Sequence, residues 1–370
     1  MRIALLSPVW FPVPPDRYGG IEAVVSLLTE GLVERGADVT LFASGDSVTS
    51  APLVHAFDEA PSERIGETFW ELKHALECLT RLTDFDLVHD HTGLLGLTLF
   101  GLAPGPVLHT VHGPLEPVPA GMYQAACDVG GDIGLVSLTR AQRRPLPALP
   151  WLANIENAID ADRYPFDPRP GDGLLFLGRM SPEKGAHRAI EVARRTGRPL
   201  RIAAKCREPG ELEYFDQAIR PHLGEQIEYV GEVGHAEKCE LLAEAHALVV
   251  PIDWEEPFGL VMIEAMACGT PVVALRRGSV PEVVDHGRTG LVVDDLDEMV
   301  AAVDQVGWLD PLVLRAEVEG RFSPERFVDE HLAAYEKLLD RSRRPARRLA
   351  KVAVEAVRRT PVPAVVETGS

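Results

Sequence analysis

The sequence predicts an α/β protein of two domains, each built on a doubly wound parallel sheet. Short apolar runs alternate with longer segments of helical periodicity, which is the pattern of βαβ units. A stretch rich in proline and glycine, Asp160 to Gly173, interrupts this alternation and has the character of a linker. The alternation then restarts, so the 370 residues are expected to form two lobes of the same architecture.

The first half opens with a buried strand, Arg2 to Leu6, and a loop that reads V-W-F-P-V-P-P-D-R-Y-G-G. A helix is predicted from about Gly20, because apolar residues recur at helical spacing until Gly36. The other elements predicted in this half are strands at 39–43, 86–89, 107–111 and 133–138, and helices at 67–83 and 92–102.

The second half repeats the alternation without repeating the sequence. Its predicted elements are strands at 174–177, 200–204, 227–230 and 248–250, and helices at 186–196, 211–222 and 236–245. A further helix is predicted after the fourth strand, with Glu256 as its N-cap, Pro257 as its first residue and Gly269 as its stop. The strand 270–275 follows. We therefore expect domains at 1–160 and 161–321.

The end of the chain differs from the rest in charge. A helix is predicted at 322–340, with Ser323 as cap and Pro324 in its first turn. The tail 341–370 holds eight basic and two acidic residues, so its formal charge is +6 while the remainder of the chain carries −25. Two interpretations stay open: a solvated tail that is disordered in part, or an interfacial helix that docks on anionic lipid.

Composition limits the class of function. The chain is 46% hydrophobic and 25% charged, as soluble globular proteins are, and its net charge of −19 argues against nucleic acid as a partner. Five scattered cysteines without a C-x-x-C pair favour a reducing cytoplasm, without disulfides or zinc. Neither a signal peptide nor a membrane span is predicted, so the expected location is cytoplasmic, with peripheral contact at the inner face of the membrane as the alternative for the tail.

Two segments are predicted to meet an anionic ligand. The strand that ends at Val250 leads through a glycine-containing loop into a helix, and such helix N-termini bind phosphate groups. Glu256 and Glu264 frame this site, where carboxylates suit sugar hydroxyls better than phosphate. In the second segment, G-R-M-S-P-E-K-G, Arg179 and Lys184 can converge on one diphosphate. Two surface cations at a helix start capped by Ser181 are the simpler interpretation of that pattern.

Histidines follow two strands of the first half. His112 ends the strand of H-T-V-H-G, at the edge where a cleft is expected. The triplet His89, Asp90 and His91 invites a metal site, but alternate residues of a strand face opposite ways, so the three side chains cannot share one face. Neutral histidines that form hydrogen bonds at a strand end are the favoured interpretation, and no metal ligands are predicted.

Several of these motifs together resemble one enzyme family. E-P-F-G-L-V-M-I-E, the turn A-C-G-T-P and the later S-V-P-E-V-V are similar to the signature of glycosyltransferase family 4, also described as glycosyl transferases group 1. P-P-D-R-Y-G-G-I-E and N-A-I-D resemble two further family segments, although Ala158 replaces the usual glycine. The family consists of retaining enzymes with the GT-B fold, in which two Rossmann-like domains face a cleft and a final helix crosses back to the first domain.

The resemblance implies a metal-independent hexosyltransferase that needs no cofactor. It would move a sugar from a UDP- or GDP-sugar to an unidentified acceptor on the first domain, without a covalent enzyme intermediate. Transferred residue by residue, the family's roles assign catalysis to His112, Glu256, Arg179 and Lys184, and donor binding to Gly19, Gly20, Arg179, Lys184, Lys205, Val230, Phe258, Gly259, Leu260 and Glu264.

Other functions remain as alternatives at the level of sequence. A non-catalytic nucleotide-sugar-binding protein would keep the same pocket and differ only in turnover. A nicotinamide-dependent oxidoreductase would share the sheets, but the G-x-G-x-x-G fingerprint and a ribose-binding acid after the second strand are missing. A GT-B epimerase or phosphorylase is closer in fold, although no pyridoxal-binding lysine signature stands out.

Overall fold

The computed structural model describes residues 1–103, 105–169 and 171–359. Two sheets of parallel strands form the framework of two lobes, as the sequence predicts. The first sheet contains seven strands, β1 Arg2–Leu6, β2 Asp38–Phe42, β3 Leu53–Val54, β4 Leu87–Asp90, β5 Val107–Val111, β6 Ile133–Ser137 and β7 Trp151–Asn154. The second contains six, β8 Gly173–Arg179, β9 Leu200–Lys205, β10 Ile227–Gly231, β11 Ala245–Val250, β12 Val272–Leu275 and β13 Gly290–Val293.

Helices connect these strands in both lobes. Those of the first lobe are α1 Gly20–Glu34, α2 Thr68–Leu79, α3 Leu94–Leu102, α4 Pro117–Val129 and α5 Arg140–Arg143. Those of the second are α6 Ala186–Thr196, α7 Pro209–Tyr214, α8 His235–Ala243, α9 Leu260–Ala267, α10 Val280–Val283, α11 Leu296–Val303 and α12 Pro311–Arg321. The last helix is α13 Pro324–Arg359.

Strand order is the same in the two lobes and fixes where a ligand can bind. The first sheet runs β3-β2-β1-β4-β5-β6-β7 and the second β10-β9-β8-β11-β12-β13. Each follows the Rossmann order, which reverses direction once, between β1 and β4 in one lobe and between β8 and β11 in the other. Ligands of such sheets bind beyond the carboxyl ends of the strands at that reversal. The loops after β1, β4, β8 and β11 are therefore the functional loops.

The last helix packs against the first lobe although it follows the second in sequence. Phe327, Val328, Tyr335 and Leu338 are fully or almost fully buried in a cluster with residues of β1, α1 and β5. Burial of such large apolar side chains stabilises the crossing by about 1.5–3 kcal/mol each. The helix thus joins the two lobes from behind the cleft.

Several elements escaped prediction. Among them are the edge strands β3 and β7, the helices α4 and α5, and everything after β12 until α13. β3 has only two residues and β7 four, so neither is long enough to show a period. α4 carries two prolines in its first turn, which masked its helical pattern.

The predicted start of one helix and the predicted cap of another are wrong, and for the same reason. α9 begins at Leu260 with Gly259 as its N-cap, rather than at Pro257 with Glu256 as cap. α6 begins at Ala186, as predicted, but with Gly185 rather than Ser181 as its cap. Both cap glycines adopt positive φ, +80° and +83°, a left-handed conformation that other residues disfavour. The chain therefore makes a longer loop before each helix, and these two loops carry the predicted ligand-binding side chains.

The basic tail continues the last helix. Backbone helix extends to Arg359, well beyond the predicted end at residue 340. Residues 360–370 and the side chains of 344–359 lie outside the described part, so docking of the tail on lipid stays a prediction. No helix of the described residues combines the length and apolar character needed to cross a bilayer.

Candidate active site

A cleft between the lobes contains two adjoining cavities, of about 360 and 550 Å³. They lie beyond the carboxyl ends of the strands where both sheets reverse direction. Six residues line both cavities and join them into one channel, namely Tyr18, Gly20, Leu177, Gly178, Leu260 and Val261. Cavities of this size accommodate a ligand as large as a nucleotide sugar.

The loop between β8 and α6 presents two cations to the smaller cavity. The Nη2 of Arg179 donates to Glu183 Oε1 at 2.9 Å, and the half-buried guanidinium lines the cavity. Within the described residues, the buried Nε of Arg179 has no acceptor. Lys184 contacts Glu256 across the cavity, with Nζ 2.5 Å from Oε2, and lies 4.2 Å from the centre of the Trp254 ring. Both side chains line the cleft, where 37% of the Arg179 side chain and 21% of the Lys184 side chain remain exposed.

The loop between β11 and α9 is held from behind by the segment S-V-P-E-V-V. The backbone N–H of Ser279 donates to the Glu256 carbonyl at 2.8 Å, and its hydroxyl donates to the Phe258 carbonyl at 2.9 Å. The Trp254 indole donates to Glu256 Oε2 at 3.0 Å. These contacts fix the Glu256 carboxylate and the loop amides ahead of α9, which explains why the later motif accompanies the earlier one.

The larger cavity contains Glu264, the second predicted carboxylate. Its Oε1 accepts from the Tyr164 hydroxyl at 2.8 Å and from Lys238 Nζ at 2.5 Å. Burial next to this carboxylate raises the pKa of Tyr164, so its hydroxyl remains a donor. In the part of the chain that the structure describes, both contacts use Oε1, which leaves Oε2 for a ligand hydroxyl.

Two predicted donor-binding residues have different surroundings from those expected. Lys205 lines the larger cavity, but it is almost completely buried and pairs with Glu211 at 2.9 Å and with Glu208, so two carboxylates of its own lobe face its charge. Val230 packs against the core of the lobe, whereas Glu232 and Val233 form the cavity wall beside it. The loop after β10 is therefore at the cavity, but through residues two and three positions later than Val230.

The first lobe contributes the opposite wall. Gly19 and Gly20 lie at the start of α1, and a Cβ on Gly20 would stand 3.3 Å from a methyl group of Leu260 of the other lobe, so the two lobes approach closely here. Glu22 follows them into the smaller cavity, and burial raises the pKa of its carboxyl to about 8. His112 lines the same cavity, where burial lowers its pKa to about 3, so it is a neutral hydrogen-bonding group.

The strand-end triplet behaves as a set of hydrogen-bonding groups. His89 and His91 face the same side and approach each other at 3.3 Å, whereas Asp90 faces the other side and accepts from His109 at 2.7 Å. This is the alternation expected of a strand. In the described ranges, no group of three or more His, Cys, Asp or Glu side chains has the arrangement of a metal site.

The lobes also contact each other directly at the rim of the cleft. Glu282 of the second lobe accepts from the backbone N–H groups of Arg140 and Ala141, at 2.8 and 2.6 Å. The hydroxyl of Thr139 donates to the carbonyl of Pro257 at 3.0 Å. These contacts hold the loop of the second lobe against the carboxyl end of β6.

Family models match both lobes. Residues 18–164 match the model described as Glycosyltransferase Family 4, and residues 169–309 match Glycosyl transferases group 1. A glycogen synthase of Mycobacterium tuberculosis is 31% identical over 361 residues, an alignment that covers 83% of this chain and 86% of that protein. The chain belongs to glycosyltransferase family 4. It is a glycosyltransferase with the GT-B fold, which confirms the prediction from its motifs.

Further proteins and solved structures are similar to this chain. A phosphatidyl-myo-inositol mannosyltransferase of Mycobacterium leprae is 27% identical over 352 residues, covering 85% of this chain and 89% of that protein. AviGT4, a glycosyltransferase involved in avilamycin A biosynthesis, shares 29% identity, with a TM-score of 0.70 over 92% of this chain and 98% of its own. HepE of Anabaena, solved with UDP and glucose, has the same fold at 18% identity and a TM-score of 0.71, over 91% of this chain and 99% of its own.

Sequence reasoning missed three residues of this glycosyltransferase's cleft. Glu22 was visible within P-P-D-R-Y-G-G-I-E, but only its burial shows that it is held neutral. Lys238 and Tyr164 surround Glu264 from α8 and from the linker. No local pattern signals either of them, because each meets Glu264 only through tertiary packing.

The buried ion-pair cluster yields a prediction for Lys205. Replacing Lys205 by methionine should lower the free energy of unfolding by about 3–5 kcal/mol, because it leaves Glu208 and Glu211 facing each other without a cation. The matched control is Arg207→Met, which removes a half-exposed cation paired with Glu232 and should cost at most about 1 kcal/mol. Urea unfolding of both variants measures the difference. Unchanged stability together with a raised donor KM would instead make Lys205 a ligand-binding cation.

Proposed function

We propose that this glycosyltransferase takes its sugar from a nucleotide diphosphate sugar and passes it to a hydroxyl of an acceptor bound against the first lobe. The main support is the placement of two cations and two carboxylates along one channel. Arg179, Lys184 and Glu256 line the smaller cavity, and Glu264 lines the larger one that adjoins it. A nucleotide sugar has matching parts in this order: a sugar, a diphosphate and a ribose.

Stabilisation of the leaving diphosphate is the proposed source of rate acceleration. When the anomeric C–O bond breaks, negative charge grows on the diphosphate oxygens. Arg179 supplies a guanidinium that lines the smaller cavity, Lys184 an ammonium, and α9 the amides and dipole of its N-terminus. Groups fixed in advance where charge develops bind the transition state more tightly than the ground state.

The carboxylates and His112 have binding roles in this proposal. Glu256, held by Trp254 and Ser279, accepts hydrogen bonds from hydroxyls of the donor sugar, and the amides of Phe258, Gly259 and Leu260 assist it. Glu264 accepts from the ribose hydroxyls through Oε2. His112 is neutral and therefore positions the sugar by a hydrogen bond instead of transferring a proton. Gly19 and Gly20 allow the diphosphate to approach the backbone of the first lobe.

The proposal includes retention of anomeric configuration, as the family resemblance implies. The acceptor oxygen attacks from the face that the diphosphate leaves, and its proton passes to the departing phosphate oxygen. One glycosidic bond forms, one glycosyl–phosphate bond breaks, and no enzyme carboxylate becomes glycosylated. Arg179 and Lys184 take the place that a divalent cation has in other sugar transferases, so activity should persist in EDTA.

A thermal-shift screen of UDP- and GDP-sugars tests the donor class, and UDP-glucose is the first ligand to try because HepE was solved with it. A donor at a hundred times its Kd should stabilise the fold by about 2.7 kcal/mol and raise Tm by about 3–5 °C. Glu264→Gln is the matched variant, expected to reduce this shift by at least half. The donor that binds is then incubated with EDTA and assayed for release of the nucleotide. Absence of a shift with every nucleotide sugar would contradict the proposal.

A further inference from the structure

A chain of buried histidines runs from the cleft to the last helix. The Nε2 of His112 lies 2.9 Å from Nδ1 of His91, and the Nε2 of His91 lies 3.3 Å from Nδ1 of His89. The same Nδ1 of His89 is 2.8 Å from the hydroxyl of Tyr335 on α13. On its other side, His89 Nε2 is 2.9 Å from the hydroxyl of Thr110. Contact therefore extends without interruption from the cavity wall to the helix that crosses behind it.

The three histidines of this chain are uncharged. Burial, reinforced by the neighbouring histidines, holds the pKa of His89 and of His91 well below the usual value, and burial lowers the pKa of His112 to about 3. The nearest carboxylate, Asp90, is occupied by His109 on the opposite face of the sheet. Each ring therefore has one N–H and one bare nitrogen, and its neighbours decide which is which.

The donor and the acceptor at each contact of this histidine chain can be assigned in turn, starting from Tyr335. Burial raises the pKa of Tyr335 well above its usual range, so the hydroxyl keeps its proton. Among the described residues its one hydrogen-bonding partner is His89 Nδ1, and a phenol is a stronger donor than the aliphatic hydroxyl of Thr110, so Tyr335 is assigned as the donor to His89 Nδ1. His89 then carries its proton on Nε2, which donates to Thr110. His89 Nδ1 therefore carries no hydrogen. Because two bare nitrogens would repel each other at this distance, the neighbouring His91 Nε2 must carry its proton and point it at His89 Nδ1. His91 Nδ1 is therefore bare and accepts from His112 Nε2–H.

We propose that His91, His89 and Tyr335 are positioning residues, which fix His112 as the Nε2–H tautomer and hold its ring against the donor sugar. The assignment of the sugar to His112 rests on the proposed function, whereas the order of donors and acceptors does not. The last helix, which belongs by sequence to the second lobe, thereby sets the hydrogen-bonding state of a cleft residue in the first lobe. His112 is left with Nδ1 as its acceptor.

Removing the hydroxyl of Tyr335 allows the order to reverse. In Tyr335→Phe, His89 can move its proton to Nδ1, donate to His91 Nε2 and accept from Thr110. His91 Nδ1–H then donates to His112 Nε2, and His112 becomes the Nδ1–H tautomer. Thr110→Val should favour the same reversal from the other side, because it removes the acceptor of His89 Nε2–H. Two substitutions at different contacts are thus expected to produce the same Nδ1–H tautomer of His112.

Nitrogen-15 NMR of histidine-labelled, full-length protein measures the tautomer directly and needs no substrate. Wild type should show His112 with a protonated Nε2, and Tyr335→Phe and Thr110→Val should show a substantial Nδ1–H population. With an active donor and acceptor pair, both variants should lower kcat about tenfold while the donor KM changes less than twofold. His91→Gln, whose amide also offers one acceptor and one donor, should retain more of kcat than His91→Leu.

Tyr123→Phe is the matched control for the loss of a buried tyrosine hydroxyl and for the effect of that loss on stability. Tyr123 is a buried tyrosine whose hydroxyl faces His109 at 3.4 Å, in the neighbouring network that does not include His112. The Tyr123→Phe substitution should lower Tm by a similar amount and leave both the His112 tautomer and kcat unchanged. An unaltered tautomer in both Tyr335→Phe and Thr110→Val overturns the proposal, as does an equal fall of kcat in Tyr335→Phe and Tyr123→Phe. Failure to find any donor would refute the proposed function but leave the tautomer test intact.

Discussion

Replacing Arg179 by alanine is expected to lower the turnover number on the order of a hundredfold or more, because the departing diphosphate of the proposed donor would lose one preorganised charge contact. Arg179 lines the cavity beside Lys184, and its Nε has no acceptor among the described residues. The loss should fall mainly on kcat and less on donor KM, since the charge that Arg179 meets is greatest in the transition state. Steady-state kinetics with saturating acceptor provide the measurement.

Two further substitutions make this result interpretable. Arg179→Lys keeps the charge but loses the planar fork, so its kcat should lie between wild type and Arg179→Ala. Arg169→Ala removes an exposed arginine of the same lobe, whose one ion pair among the described residues is with Asp167, and should leave kcat within twofold of wild type. If Arg179→Ala also remained within twofold, Arg179 would have no role in the departure of the diphosphate.

Acidification from pH 7 to pH 5 is expected to lower the free energy of unfolding on the order of 5–10 kcal/mol. Five histidines are buried with lowered pKa values: to about 4 for His74 and His331, to about 3 for His112, and well below the usual range for His89 and His91. In the unfolded chain each takes up a proton below about pH 6.5. The unfolded state therefore binds more protons than the folded state, and stability falls as the pH falls.

Glu22 changes the pH dependence of the unfolding free energy in the opposite direction, and it therefore serves as a control. Its carboxyl has a pKa raised to about 8 by burial, so it is neutral in the folded protein and ionised in the unfolded chain at pH 7. Its burial therefore costs stability above pH 5, and this cost declines on acidification. Glu22→Gln should raise stability at pH 8 and make the acid loss steeper.

Urea unfolding at several pH values tests this account. His74→Leu removes a buried histidine that lies outside both the cleft and the chain from His112 to Tyr335, since its ring nitrogen contacts the carbonyl of Ser7. Its slope of unfolding free energy against pH should be smaller than that of wild type by about 1.4 kcal/mol per pH unit between pH 6 and 5. A wild-type stability that stays level between pH 7 and 5 would contradict the neutral, buried state of these histidines.

The fold and the main loops could be predicted from sequence because their signals are local. Apolar runs and helical spacing identified most central strands, and Arg179, Lys184 and Glu256 could be placed in loops at strand ends. The wrong helix caps also have a local cause. The positive φ of Gly185 and Gly259 sets the caps of α6 and α9, and a sequence pattern that fits a Ser181 or Glu256 cap equally well does not reveal backbone handedness.

The sequence by itself determined the family, the two sheets and the charged residues of the two cleft loops, because each depends on neighbours along the chain. Only the tertiary structure decided which partners those residues have. It neutralised Lys205 with Glu208 and Glu211, surrounded Glu264 with Tyr164 and Lys238, and joined His89 to a tyrosine 246 positions away. Such contacts depend on strand order and on the crossing of the last helix. Burial, which sets the protonation of Glu22 and the histidines, exists only once the lobes have packed.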